Sequence, residues 1–144
     1  KQDITKAVDK KKNTALHYSL KKGEIKMIDT ILEKAPDFIN AQNDKGETAL
    51  HIACNLELKN IVELLLSHEI NVNILDYDNE LSSLTYCVNR NNALLTSILL
   101  KNNANPNDVE FISSNKWLND KIIEHGLNSR EFVSAEATLI YTSY

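Results

Sequence analysis

The stretch Thr48-Ala49-Leu50-His51-Ile52-Ala53 is echoed, 34 positions earlier, by Thr14-Ala15-Leu16-His17-Tyr18-Ser19. A fixed period of that size marks one small supersecondary unit stacked on itself. Such a unit is too short to bury its own apolar face and gains a core only by lying against its neighbours. The residues around the echo therefore decide the fold.

Around the second copy, Asn43-Asp44-Lys45-Gly46 has turn chemistry, with Gly46 free to take a positive φ. Thr48 fits an N-cap whose hydroxyl accepts from an orphan backbone N–H of the helix that follows. That helix is expected to reach about Asn55. A second helix is expected from near Leu58, because Leu58, Ile61, Val62, Leu65 and Leu66 share one helical face. Asn71-Val72-Asn73 closes the unit. In the first copy, Gly23 ends the first helix. Met27, Ile28, Ile31 and Leu32 are expected as the inner face of the second, Pro36 stops it, and Phe38-Ile39-Asn40 leads to the next turn. A third copy keeps the frame only. Leu84 and Cys87 replace Leu50 and Ala53, Leu95, Leu99 and Leu100 replace Ile61, Leu65 and Leu66, and Asn107 replaces Asn73. The histidine has become Thr85, the turn glycine Glu80, and Thr48 has become Ser82, still a competent cap.

Beyond Asn107 the period fails. Ile122-Ile123-Glu124-His125-Gly126 reads as the end of a second helix, but lies 23 residues after Leu99-Leu100. Residues 108–130 are expected to form a shortened, irregular repeat, with Trp117 plugging the gap. Ala135-Glu136-Ala137-Thr138-Leu139 echoes Gly46 to Leu50, so 131–144 is expected to begin a truncated or degenerate repeat. Asp3, Ile4, Ala7 and Val8 predict a leading cap helix over 1–8. Lys1 is not a start methionine and no leader pattern follows it, so the sequence reads as an excerpt of a longer chain.

The 144 residues are 42% hydrophobic and 25% charged, as in ordinary soluble domains. No apolar run approaches the length of a helical membrane span. The net charge of −4 argues against general nucleic-acid binding. That charge is uneven: residues 1–35 carry nine Lys against five Asp and Glu, and the remainder carries seven Lys and Arg against fifteen acids. Cys54 and Cys87 fall at small, inward positions, which favours buried free thiols and a reducing compartment, with a disulfide left open. Neither has a His or Cys at metal spacing beside it. A Gly-rich phosphate loop, H-E-x-x-H and G-x-S-x-G are all missing, so no catalytic residue, metal site or cofactor is expected.

The turn, T-A-L-H-x-A, a short helix, an x-I-V-x-L-L-L helix and a closing N-x-V-N resemble the ankyrin repeat. The resemblance covers 9–107 well and the remainder loosely. It departs from the family pattern at Ala15 and Ala49, where the family has proline, and at Glu57, where it has glycine. It implies an all-α solenoid of stacked helix-turn-helix units with projecting loops, divided here as 9–42, 43–75 and 76–107. It also implies a concave binding surface made of loop tips and the ends of each first helix. Carried over by position, the tips are Lys10, Lys11 and Asn13, then Asp44, Lys45 and Glu47, then Asp78, Asn79 and Leu81. The helix ends are Lys21 and Lys22, Asn55 and Leu56, and Asn89 and Arg90.

His17 and His51 sit at the family's structural histidine, which favours a bond to neighbouring loops over metal or catalysis. His68 and His125, near second-helix ends, suit the dipole there. Cys54, three residues after His51, occupies a packing position rather than the exposed, electropositive setting a nucleophile needs. The lysines are the sharpest surface feature, since Lys10, Lys11, Lys21 and Lys22 fall at expected concave positions and would steer an acidic partner. The expected function is a non-catalytic scaffold binding another protein, with an acidic patch facing the basic first repeat. The alternative is a targeting or autoinhibitory repeat region of a larger enzyme or toxin. A homo-oligomer burying Leu81 or the end at Tyr141 and Tyr144 is a third reading. Asn, Lys and Ile number 18, 14 and 14. This leaning is common in AT-rich genomes and suggests a host-directed effector of an intracellular bacterium, virus or parasite, acting inside cells.

Overall fold

The computed structural model describes residues 7–105, together with positions 116 and 120. Its elements are α1 (Ala15–Lys22), α2 (Ile25–Lys34), a 3-10 helix (Pro36–Asn40), α3 (Ala49–Asn55), α4 (Lys59–Leu66), α5 (Ser83–Asn89) and α6 (Ala93–Lys101). Regular structure among the described residues is entirely helical, and no described helix is long and apolar enough to cross a membrane.

The repeated threonine starts α1 and α3 by one mechanism. Thr14 Oγ1 accepts from the His17 N–H, and His17 Nδ1 accepts in return from the Thr14 N–H at 3.0 Å. Thr48 and His51 repeat both bonds, the second at 3.1 Å. This is a capping box in which an imidazole does what glutamate or glutamine usually does. In α5 the cap survives as Ser82, accepting from the Thr85 N–H, and the hydroxyls of Ser82 and Thr85 lie 3.2 Å apart. Among the second helices, α2 and α4 start without a side-chain cap, whereas Asn92 caps α6 by accepting from the Leu95 N–H.

The backbone repeats more faithfully than the side chains. Each first helix ends in a left-handed residue, at Gly23 (φ 68°), Glu57 (φ 57°) and Asn91 (φ 53°). Each loop turns through another, at Lys12 (φ 62°), Gly46 (φ 79°) and Glu80 (φ 55°). Both sets step by 34. Stacking imposes the geometry even where the residue carries a Cβ that disfavours it.

Two layers form the stack. In the first, α3 lies between α1 and α5; behind it α2, α4 and α6 pack on α1, α3 and α5 in turn. Leu16, Leu50 and Leu84 are fully buried at equivalent positions, joined by Leu20, Ile28, Leu65, Leu95 and Leu99. Cys54 and Cys87 are free and buried.

Some expectations fail. Met27 is 37% exposed, although its equivalents Ile61 and Leu95 are buried. Among the described residues α2 belongs to the first unit of the stack, whereas α4 and α6 belong to the second and third. Ala7 and Val8 are exposed and not helical, and residues 1–6 of the expected cap helix lie outside the described residues. Phe38-Ile39-Asn40 is not a plain connection but belongs to the 3-10 helix, which buries Phe38 and Ile39. The expected segments 108–130 and 131–144, Trp117 and His125 among them, lie outside the described residues, save for exposed helical positions 116 and 120.

Candidate functional site

One polar side chain at the base of each loop organises its tip. Asp9 Oδ1 accepts from the N–H groups of Lys11 and Asn13 at 2.9 and 2.8 Å. Asn43 Oδ1 accepts from Lys45 and Glu47 at 3.0 and 2.9 Å. Asp76 Oδ1 accepts from Asn79 and Leu81 at 3.2 and 3.0 Å. Successive loops are then joined through backbone, Asp44 N–H to the Lys11 carbonyl at 2.8 Å and Tyr77 N–H to the Lys45 carbonyl at 2.9 Å.

The histidines add a second tie. His17 Nε2 lies 2.8 Å from the Glu47 carbonyl, and His51 Nε2 lies 2.9 Å from that of Leu81. Because Nδ1 accepts from a backbone N–H, Nε2 carries the proton and donates. Both rings are neutral in this role. Burial is the main reason their pKa values fall below the ordinary 6.5, outweighing the bond to the carbonyl that favours the charged form. Both ring nitrogens are engaged, one within the helix cap and one across to the next loop. The Cys54 thiol is likewise engaged, its hydrogen bond to Cys87 and its burial both raising its pKa. Among the described residues no cluster of three or more His, Cys, Asp or Glu is placed to hold a metal ion.

The exposed face of the first helices carries Tyr18, Ile52 and Tyr86, at successive equivalent positions. Where this residue is tyrosine, the loop base is aspartate. Tyr18 donates to Asp9 Oδ2, and Tyr86 donates to Asp76 Oδ2 at 2.7 Å. The Tyr18 hydroxyl is the main cause that holds the Asp9 carboxyl down at about 2. For Asp76, burial pushes upward, but the Leu81 N–H, the Tyr86 hydroxyl and the Asn79 N–H outweigh it and the pKa is lowered. In the second unit Ile52 has no hydroxyl and the base is Asn43, whose amide donates instead to Asn13 Oδ1 and Glu47 Oε1, each at 3.1 Å.

A hollow of about 280 Å³ opens between the first two loops and the faces of α1 and α3. It gathers eight of the residues singled out by position: Lys11, Asn13, Lys21 and Asp44, with Lys45, Glu47, Asn55 and Leu56. Lys10 and Lys22 are exposed beside it. Asp78, Asn79, Leu81, Asn89 and Arg90 belong to the third unit and do not line it. Arg90 is nevertheless linked to it, since its Nε and Nη2 donate to Asn55 Oδ1 at 3.3 and 3.1 Å. Leu81 is half-buried and carries the carbonyl that His51 holds. The positional reading missed Tyr18 and Ile52, which line the hollow one turn into each first helix. The signal was the variable x of T-A-L-H-x-A.

The sequence profile of ankyrin repeats (three copies) matches residues 36–110. A protein named as ankyrin repeat protein L371 of Acanthamoeba polyphaga mimivirus is 32% identical over 97 residues, covering 67% of this chain and 12% of that protein. A protein named as the E3 ubiquitin-protein ligase XBOS33 of Oryza sativa subsp. japonica is 37% identical over 65 residues, covering 45% of this chain and 12% of its own. The chain thus spans about an eighth of the length of each of these relatives. In fold it is similar to the ankyrin repeat domain of Bcl-3, a member of the IkappaB family, with a TM-score of 0.72, 21% identity, and coverage of 97% of this chain and 74% of that one.

Proposed function

The chain belongs to the ankyrin-repeat family, whose repeats are generally protein-protein interaction modules, and from that premise we propose that it binds another protein through its loop tips and first-helix face. The observation that carries this reading is the hollow between the first two units, where residues from two loops and two helices converge. Its lysines, with Lys10 and Lys22 beside them, favour a partner with an acidic patch, because opposite charge speeds encounter and fixes register. The proposed binding residues remain those named by position, and the proposed units remain 9–42, 43–75 and 76–107. The viral relative supports an effector acting on host proteins inside cells.

Affinity capture with the wild type and with Lys10, Lys11, Lys21 and Lys22 all changed to Glu tests this. The wild type recovers a defined partner and the quadruple variant, helical by circular dichroism, loses it. Equal recovery removes the basic end from the interface. A second reading, a targeting or autoinhibitory region of a larger enzyme, is favoured by the similarity to a small part of a protein named as a ligase. A folded catalytic region adjoining these residues in the longer chain supports it; a longer chain made of repeats alone removes it.

A further inference from the structure

Resting on the binding surface proposed above, we infer that the hollow between α1 and α3 takes an extended acidic segment of a partner protein, which seats one bulky apolar side chain against Tyr18 and Leu56. Two features of the hollow are turned to solvent. The first is apolar surface. Tyr18 is 51% and Leu56 47% exposed, and with half-buried Ile52 they line a single cavity. The second is unspent positive charge. Lys11, Lys21 and Lys45 line the same cavity, and none forms an ion pair with an acid among the described residues, where the pair observed is Lys59 with Glu63. The acids of the hollow, Asp44 and half-buried Glu47, number two against these three lysines, which leaves its lining net positive.

The site is also preorganised. The Tyr18 ring is held by its hydroxyl bond to Asp9, and Asn55 is held by Arg90. Fixed side chains lose little conformational freedom on binding, and an aromatic ring ringed by polar groups is the usual form of a binding hot spot. A ligand that is only acidic leaves the Tyr18–Leu56 surface wet, and one that is only apolar leaves the lysines unanswered. A segment bearing one large apolar residue with Asp or Glu on either side satisfies both.

A random dodecapeptide library displayed on phage and selected against the whole 144-residue chain supplies the probe. The expected consensus is an aromatic or branched aliphatic residue with Asp or Glu within two positions. The best clone, made as a synthetic peptide and followed by fluorescence anisotropy, loses about tenfold or more in affinity with Leu56→Asn, and again with Lys11→Glu and Lys21→Glu together. It also binds more weakly as salt rises. A basic or uncharged consensus overturns the inference, as does a library that yields no enriched peptide. Binding that ignores Leu56→Asn and the lysine changes but is lost with Asp78→Lys and Arg90→Glu overturns this hollow while leaving the wider face in place. Binding insensitive to all of them overturns both.

Discussion

At Glu57 and Glu80 the backbone is left-handed, with φ of 57° and 55°, and a residue with a Cβ costs about 1–2 kcal/mol there. Glycine relieves that strain but also loosens the unfolded chain, so the net gain is smaller. Glu80→Gly is expected to raise stability by about 0.5–1 kcal/mol in urea denaturation. Glu57→Gly gains less, because Glu57 Oε1 accepts from the Asn92 amide at 3.1 Å and that bond is lost. An unchanged or lowered midpoint for Glu80→Gly contradicts this. Gly46 is the opposite case. A Cβ there lies 2.4 Å from the Tyr77 nitrogen, whose N–H joins two loops. Gly46→Ala is expected to destabilise by about 1–3 kcal/mol, adding backbone strain to the displaced loop.

At the scale of elements, each histidine caps its own helix and holds the loop of the next unit. His51→Ala leaves the Thr48 N–H and the Leu81 carbonyl without this partner in a buried setting, and an expected loss of about 2–4 kcal/mol follows. His51→Gln recovers part of it. The same bonds set a pH dependence. The folded pKa of both rings lies below the ordinary 6.5, so near and below that pH the unfolded chain binds more protons than the folded one. Their contribution is complete above 6.5 and is lost as pH falls. Melting temperature is expected to drop between pH 7.5 and 5.5, and the drop to shrink when His17 and His51 are both Gln. Asp9 and Asp76, also lowered, act later: their contribution holds above their ordinary 3.8 and fades as pH falls below it.

Across the whole molecule, stability comes from neighbours, since each unit touches only the next. α3 has a first helix on both sides, and α1 has one among the described residues. Amide exchange is therefore expected to be slowest in α3 and faster in α1 and α2. Equal protection throughout indicates one cooperative unit instead. Cys54 and Cys87, both free and buried, sit on α3 and α5 with a hydrogen bond between their thiols. They are expected to resist a thiol reagent in the native state and to react together on unfolding. Fast native reaction places the contact between these helices open in solution.

How much was legible depends on how local the cause is. Thr14, Thr48 and Ser82 announced three helix starts because capping involves residues three apart. The stack of Leu16, Leu50 and Leu84 was readable because a repeated contact writes itself as a period. Met27 was misread because helical spacing gives the face a residue shares and not what packs against that face. The residue types of Lys12, Glu57 and Glu80 do not favour a left-handed backbone; for Glu57 and Glu80 the period did point to it, by placing them opposite Gly23 and Gly46. Position named Lys11, Lys21 and Lys45, which line the hollow, but not Tyr18 and Ile52, since only the packing of two helices and two loops brings a variable position beside the others. The sequence alone determined that units repeat and where each begins. The tertiary structure decided which surfaces and which charges meet in one hollow, because convergence depends on contacts between units that no single unit encodes.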